Sequence, residues 1–314
     1  MENEQQNTPN KSGKKATIIT YSLIAVGAIV LGVTAGVVLK RVFGQTQVDY
    51  EGFNPDAFKM DAKKLVSDYD KNPRANFTPA ELINIGLEKY RECENSYSFG
   101  YGIADTVVKQ TIRNAQIKNG NHYFEESISR SSMVAIANRV TQEKDGNNIN
   151  LYKGKAIETE TGQYKDNKIT YNCEDYKTNW GKTLDEMFIY LISNDTVLKE
   201  GSSVVKKDDQ TIVTVMLNKD IATYYYKYQM KSISNLDSLP TFTSLKHVYT
   251  FDKNMMLLTC SVDEVYAASM GIKASIHNII DYYYFANEYL EIPSLDEQVN
   301  YSIKGDLNNE KETA

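Results

Sequence analysis

The spacing of apolar residues changes several times along the chain, and each change marks an element. Residues 16–39 hold no charged side chain and lie between Lys14-Lys15 and Lys40-Arg41. As one helix they would extend about 36 Å, enough to cross a hydrocarbon core of about 30 Å with some tilt. A transmembrane anchor is the expectation. Its rival is a cleavable signal peptide ending at Val33-Thr34-Ala35 before Gly36, and the apolar length favours the anchor. Beyond it, Phe58, Ala62, Leu65, Val66 and Tyr69 recur at helical spacing behind Asn54-Pro55-Asp56. That predicts a short helix inside a juxtamembrane stalk, residues 40–77, with an apolar stripe that needs a docking surface. Thr78-Pro79-Ala80-Glu81 supplies the clearest helix start: a hydroxyl that caps, a proline at the first helical position and a glutamate that reaches back. Leu82, Ile85, Leu87 and Tyr90 carry this helix to about residue 94.

At Ser96 the period falls to two. Tyr97, Phe99, Tyr101 and Ile103 alternate with Ser96, Ser98, Gly100 and Gly102, the pattern of a strand with one bulky and one small face. The same stretch imitates a dinucleotide turn, but Asp105 stands where a third glycine is needed and no helix follows. Residues 106–117, 122–129, 134–142, 149–154, 156–164 and 168–173 then read as strands of one antiparallel meander, with Asn119-Gly120 and Asp145-Gly146 as hairpin turns. A helical pattern over 184–193 interrupts it. Residues 211–217 return to strand, 220–231 read as an amphipathic helix, and 243–251, 255–266 and 272–285 as three closing strands. Residues 294–314 are polar throughout and read as a disordered tail.

Composition narrows the function. With 314 residues and 41% hydrophobic content, the chain can build a real core. Its net charge of −6 is uneven: residues 1–15 are slightly basic and Lys40-Arg41 follow, so the acidic excess belongs to the body. Such a body repels phosphate backbones, which excludes nucleic acid as a partner class, and anionic headgroups fare no better. A short polar tail before one long body is the arrangement of a signal anchor, placing the N-terminus in the cytoplasm and the body outside. Gly32 and Gly36, with Ala28 one turn earlier, form a small-residue face on which two such helices could associate weakly.

Little chemistry is announced. Cys93, Cys173 and Cys260 are too far apart for a metal or thioredoxin-type motif and read as small buried hydrophobes; one disulfide with a thiol left over stays open. His122, His247 and His277 stand singly in strand patterns, without ligand partners at metal spacing. Ser203-Val204-Val205-Lys206 matches the first motif of acylating serine enzymes but lacks the other two. Asp185-Glu186 and Asp208-Asp209 are charge runs of turns and helix starts. No enzyme and no cofactor is expected. The 23 tyrosines are the oddity, clustered at Tyr224-Tyr225-Tyr226-Lys227-Tyr228 and Tyr282-Tyr283-Tyr284. They suit half-buried strands, and equally a binding surface.

The order of one capped helix, a long meander, Y-L-I-S-N-D-T-V-L, a strand, an amphipathic helix, P-T-F-T-S-L-K-H-V-Y-T-F-D and a V-D-E-V-Y-A-A-S-M-G hairpin resembles the bacterial lipoprotein-carrier superfamily of LolA/LolB-like and LppX/LprG-like proteins. The resemblance covers residues 78–293. It implies a mainly β (α+β) fold, a curved antiparallel sheet or incomplete β-barrel wrapped around helices, with an apolar cavity for acyl chains. This chain lacks the lipidated cysteine of the anchored members, so the transmembrane helix would take over anchoring. On that reading Tyr97, Phe99, Tyr101, Ile103, Val213, Val215, Leu245, Tyr249, Phe251, Met256, Leu258 and Ile276 face the concavity. The expected function is a membrane-anchored extracytoplasmic module that binds a lipid or other apolar ligand. The alternative is a non-catalytic scaffold or regulatory subunit of an envelope complex, with the helices filling the concavity.

Overall fold

The computed structural model describes residues 53–105, 109–131, 136–157, 167–180, 190–234, 238–267 and 273–284. The apolar segment 16–39 with Gly32 and Gly36, the tail 294–314 and most of the expected helix 184–193 lie outside them. Among the described residues no helix is long and apolar enough to cross a membrane.

The stalk helix begins as two pieces. Asn54 caps a 3-10 turn, Pro55–Phe58, and Asp61 then caps α1, Ala62–Lys71, by accepting from the Lys64 amide at 3.0 Å. The apolar stripe of α1 finds its dock. Leu65, Val66 and Tyr69 pack into the main core beside α2, Pro79–Glu92, and Lys89 of α2 reaches Asp70 at 2.8 Å. Helix α2 starts with the capping box read from Thr78 and Glu81: the Glu81 amide donates to Thr78 Oγ1 at 3.2 Å, and the Thr78 amide to Glu81 Oε2 at 2.7 Å.

Among the described residues eleven strands follow: β1 Asn95–Asp105, β2 Gln110–Asn119, β3 His122–Ser131, β4 Ile136–Asp145, β5 Asn148–Ile157, β6 Asn167–Asn172, β7 Val197–Lys207, β8 Gln210–Leu217, β9 Thr241–Phe251, β10 Leu257–Ala267 and β11 Lys273–Tyr284. They form one antiparallel sheet in the order β6-β5-β4-β3-β2-β1-β11-β10-β9-β8-β7. The protein is therefore mainly β, and the sheet is open, with β6 and β7 outermost among the described strands. Two meanders, β1–β6 and β7–β11, are joined where β1 pairs with β11. Gly120 and Gly146 take φ of 54° and 57° in the hairpin turns where the sequence places them.

Among the described residues, α2, α3 Cys173–Trp180, α4 Lys219–Ala222 and α5 Tyr224–Ser234 pack on the sheet together with α1. Residues opposite one another across a ladder share a face, so the register shows which side each helix covers. Leu82, Ile83 and Ile85 of α2 pack with Val213, Val215, Tyr249 and Phe251; Tyr226 and Met230 of α5 pack with Phe242, Tyr266 and Ile276; Tyr176 of α3 packs with Tyr123, Ile149 and Leu151. Traced through the pairings, these strand residues belong to a single face.

On β1 the expected orientation is reversed. Ser96, Ser98, Gly100, Gly102 and Ala104 are buried on the helix-covered face, whereas Tyr97, Phe99 and Ile103 are half-buried on the other and Tyr101 is 49% exposed there. The reason is space. Tyr90 of α2 stands edge-on to Tyr282 and Tyr284, with its hydroxyl beside Ser96 and Ser98, and α5 packs on Ala104. Large side chains on that side of β1 would collide with both helices.

Met256 and Leu258 also depart from expectation. Strict alternation backward from Val262 puts them inside, but the β9–β10 register shifts between Leu257 and Thr259. That bulge moves the parity by one, so Met255 and Leu257 are buried while Met256 and Leu258 are only half so. Two elements escaped the sequence pattern. Strand β7 is exposed on both faces, apart from Val197 and Ser202, and so shows no alternation. Helix α3 buries Tyr176 in the core, with Cys173 packed beside it, and shows no apolar stripe among its described side chains. The expected helix 220–231 is broken at Thr223, which lies between α4 and α5 and accepts from the Lys227 amide at 2.8 Å.

Candidate functional site

A buried polar group of the core lies where α5 meets β9 and β10. Glu264 stands on β10 between Leu245 of β9 and Ile276 of β11, and is 2% exposed. Two phenols reach it: Tyr190, just before β7, donates to Oε1, and Tyr226 of α5 donates to Oε2 at 3.5 Å. The Tyr190 ring stands edge-on to Tyr226 at 5.2 Å and to His247 at 4.5 Å. His247 of β9 shares a hydrogen bond of 2.9 Å between Nδ1 and the Tyr249 hydroxyl. Its Nε2, and the hydroxyl of Tyr266, are buried without a partner among the described residues.

Burial sets the protonation states here. It pushes the Glu264 carboxyl up to about 7, against a partial pull back from the Tyr190 and Tyr226 hydrogen bonds. Burial likewise lifts Tyr190, Tyr226, Tyr249 and Tyr266 well above the ordinary phenol value, so these hydroxyls stay protonated. His247 is lowered to about 3 by the same cause and is a neutral imidazole. The Cys260 thiol is pushed up, which leaves it unreactive, and all three cysteines are free. Glu264, Tyr226, His247, Tyr249 and Tyr266 are each 4% exposed or less, so no substrate reaches them in this conformation. The group can hold or release one proton and can fix α5 and the Tyr190 segment to the sheet.

The residues expected to line a cavity divide between two faces. Val213, Val215, Leu245, Tyr249, Phe251 and Ile276 lie on the helix-covered side at 0–3% exposure, engaged with α2 and α5. Gly86 of α2 comes so near the sheet that a Cβ there would stand 2.1 Å from Phe251 Cε1. Tyr97, Phe99, Tyr101 and Ile103 lie on the opposite side, where Tyr97 and Phe99 pack against the buried Ala115, Ile117 and Phe124, and Tyr101 faces Ile279 of β11, itself 43% exposed. Beside them His277, opposite Ile103, shares a 2.5 Å contact with Asp263. Sequence reasoning missed Glu264, although its parity with Val262 and Tyr266 on one strand placed it inside.

No family model matches the sequence, and no curated protein is similar to it. Among solved structures, one assigned as AttH from Nitrosomonas europaea aligns at 8% identity over 64% of this chain and 53% of its own, with a TM-score of 0.19. The chain thus spans about half the length of that protein. An inactive variant of the CurK dehydratase aligns at 9% identity over 71% of this chain and 83% of its own, TM-score 0.13. The N-terminal dehydratase from the difficidin assembly line aligns at 9% identity over 64% and 82%, TM-score 0.12. Scores of this size do not indicate a shared fold, and they carry no argument about chemistry.

Proposed function

We propose that the chain is a non-catalytic scaffold or regulatory subunit of a cell envelope, anchored by residues 16–39 with its body on the extracytoplasmic side. In this reading the open sheet curves around its helices as an incomplete barrel, and partners are met on the opposite face at its exposed part around Tyr101 and Ile279. The observation that carries the reading is the division of apolar side chains between the faces. The expected lining residues Val213, Val215, Leu245, Tyr249 and Phe251 are consumed by packing against α2, while Tyr101 and Ile279 stand exposed side by side on the other face. Glu264 and His247, the two groups beside Tyr190 whose values burial displaces, are enclosed and out of reach of a substrate, which supports a non-catalytic role for that cluster.

The second reading is a module that binds a lipid or other apolar ligand, as the resemblance to lipoprotein carriers implies. Helices lying on one face of an open antiparallel sheet favour it. It requires α2 or α5 to move aside. Native mass spectrometry of the full chain, extracted in mild detergent, separates the two. The scaffold reading predicts no stoichiometric acyl lipid, and a photoreactive residue at position 101 that forms protein adducts in native membranes. A lipid retained one to one, with no adduct from position 101, overturns it in favour of the second.

A further inference from the structure

Helix α5 carries aromatic side chains on two opposite faces. Tyr226 and Met230 pack into the core with Phe242, Tyr266 and Ile276. At about 3.6 residues per turn, Tyr224 and Tyr228 fall on the far side of the helix from them. The rings of that outward pair lie 5.1 Å apart, and the Tyr225 ring stands 5.3 Å from Tyr224. A helix that buries one face in the sheet and presents a second apolar face needs a second cover.

Part of that cover comes from residues 53–59. Phe53 tilts against Tyr224 at 4.5 Å and stacks on Phe58 at 5.5 Å, and Lys59 sits over the Tyr225 ring at 5.8 Å. Phe53, Phe58, Tyr224 and Tyr225 are half-buried, and Tyr228 is 36% exposed, so the cluster keeps an accessible side. Tyrosine joins an apolar ring to a polar hydroxyl, which suits the headgroup level of a bilayer, where one end meets hydrocarbon and the other water. Lys59 pairs with Asp56 at 2.7 Å, so the cation at the rings is balanced. Attraction to zwitterionic lipid through the rings is therefore favoured over attraction to anionic lipid through charge.

Position supports the same occupant. Between Leu39, the end of the apolar segment, and Phe53 lie the thirteen residues 40–52. Fully extended they reach about 45 Å, so an anchored chain holds the ring cluster near the membrane and makes the contact intramolecular.

We propose that Phe53, Phe58, Tyr224, Tyr225 and Tyr228 form a second, peripheral membrane contact that rests at the headgroup level of zwitterionic phospholipid. This contact rests on the anchoring by residues 16–39 proposed above. It orients the body. Helix α5 lies on one face of the sheet and Tyr101 with Ile279 on the other, so the helix-covered face turns to the lipid and the exposed pair turns away from it, toward partners.

Tryptophan fluorescence of the full chain in phosphatidylcholine vesicles, with acyl chains brominated near the headgroup or left plain, tests this. Trp180, the sole tryptophan, is replaced by phenylalanine, and a new one is introduced by Tyr228→Trp, Phe58→Trp or Tyr101→Trp. Bromine quenches by contact. Emission from positions 228 and 58 is expected to fall in brominated vesicles relative to plain ones, and emission from 101 to stay unchanged. Reading both 58 and 228 guards against one substitution that disturbs folding. No loss at either position, in a chain that stays in the vesicles through an alkaline carbonate wash, overturns the contact and leaves the anchor standing. Equal loss at 101 and 228 also overturns it, because the approach to lipid would then have no preferred face. A chain that the wash removes overturns the anchor and this contact together.

Discussion

At the level of single side chains, the enclosed carboxyl of Glu264 governs much of how this fold responds to pH. Its value rises from 4.5 in the open chain to about 7 on burial, so the native state holds the proton more tightly than the unfolded state does. Stability from this group is complete below pH 4.5 and is lost as pH climbs through 7, by on the order of 3 kcal/mol. His247 acts in the opposite sense. Lowered from 6.5 to about 3, it favours the native state above 6.5 and costs stability as pH falls. From these two groups the wild type should be level between about pH 4.5 and 6.5. Replacing Glu264→Gln isolates the first: the stability of the variant relative to wild type should rise by about 3 kcal/mol between pH 4.5 and 7.5, read by chemical denaturation. A difference that does not change with pH contradicts the burial of this carboxyl. The position was legible in the sequence, since it alternates with Val262 and Tyr266. Its donors were not, because Tyr190 and Tyr226 reach it from distant segments that no local pattern relates.

Elements were legible wherever a cap, a turn or a clean alternation marked them. The Thr78 capping box is the clearest case, and Thr78 Oγ1 also donates to Asn194 Oδ1 at 2.6 Å. Thr78→Ala should cost about 1 kcal/mol in denaturant unfolding, with Thr78→Ser recovering most of it. An unchanged midpoint for the alanine variant would mean that the cap does not hold α2. The close approach of α2 to β9 offers a second test. Gly86→Ala drives a methyl group into Phe251, and should destabilise by about 1–3 kcal/mol although alanine is the better helix former. A stabilised Gly86→Ala would show that the helix sits farther from the sheet. What escaped the sequence did so for physical reasons. The bulge between Leu257 and Thr259 reverses which residues face the core, moving Met256 and Leu258 off it, and hydropathy alone does not register an inserted residue. Strand β7, as an edge exposed on both faces, has no alternation to read.

For the molecule as a whole, the antiparallel character of the sheet followed from Asn119-Gly120, Asp145-Gly146 and the period-two runs, but the contact that makes it one sheet did not. Strand β1 pairs with β11, nearly the whole body away in sequence, and the register aligns Tyr101 with Ile279 and Gly102 with Asn278. That pairing decides which side of β1 faces the helices. Alternation in residues 96–103 shows two unlike faces and says nothing about which is covered; the bulky face was expected inside, and the space taken by Tyr90 and α5 requires the small one there. Because Tyr101 is exposed, Tyr101→Ser should change stability by no more than about 0.5 kcal/mol in urea unfolding, and a loss of several times that would place the ring in a core. The most direct measurement compares thiol reactivity at two positions of β1. With Cys93 and Cys173 replaced by serine, Tyr101→Cys in the native full chain should react with maleimide nearly as fast as in the unfolded protein, while Ser98→Cys should react only on unfolding. Fast labelling at position 98 with protection at 101 would contradict the arrangement of the whole sheet.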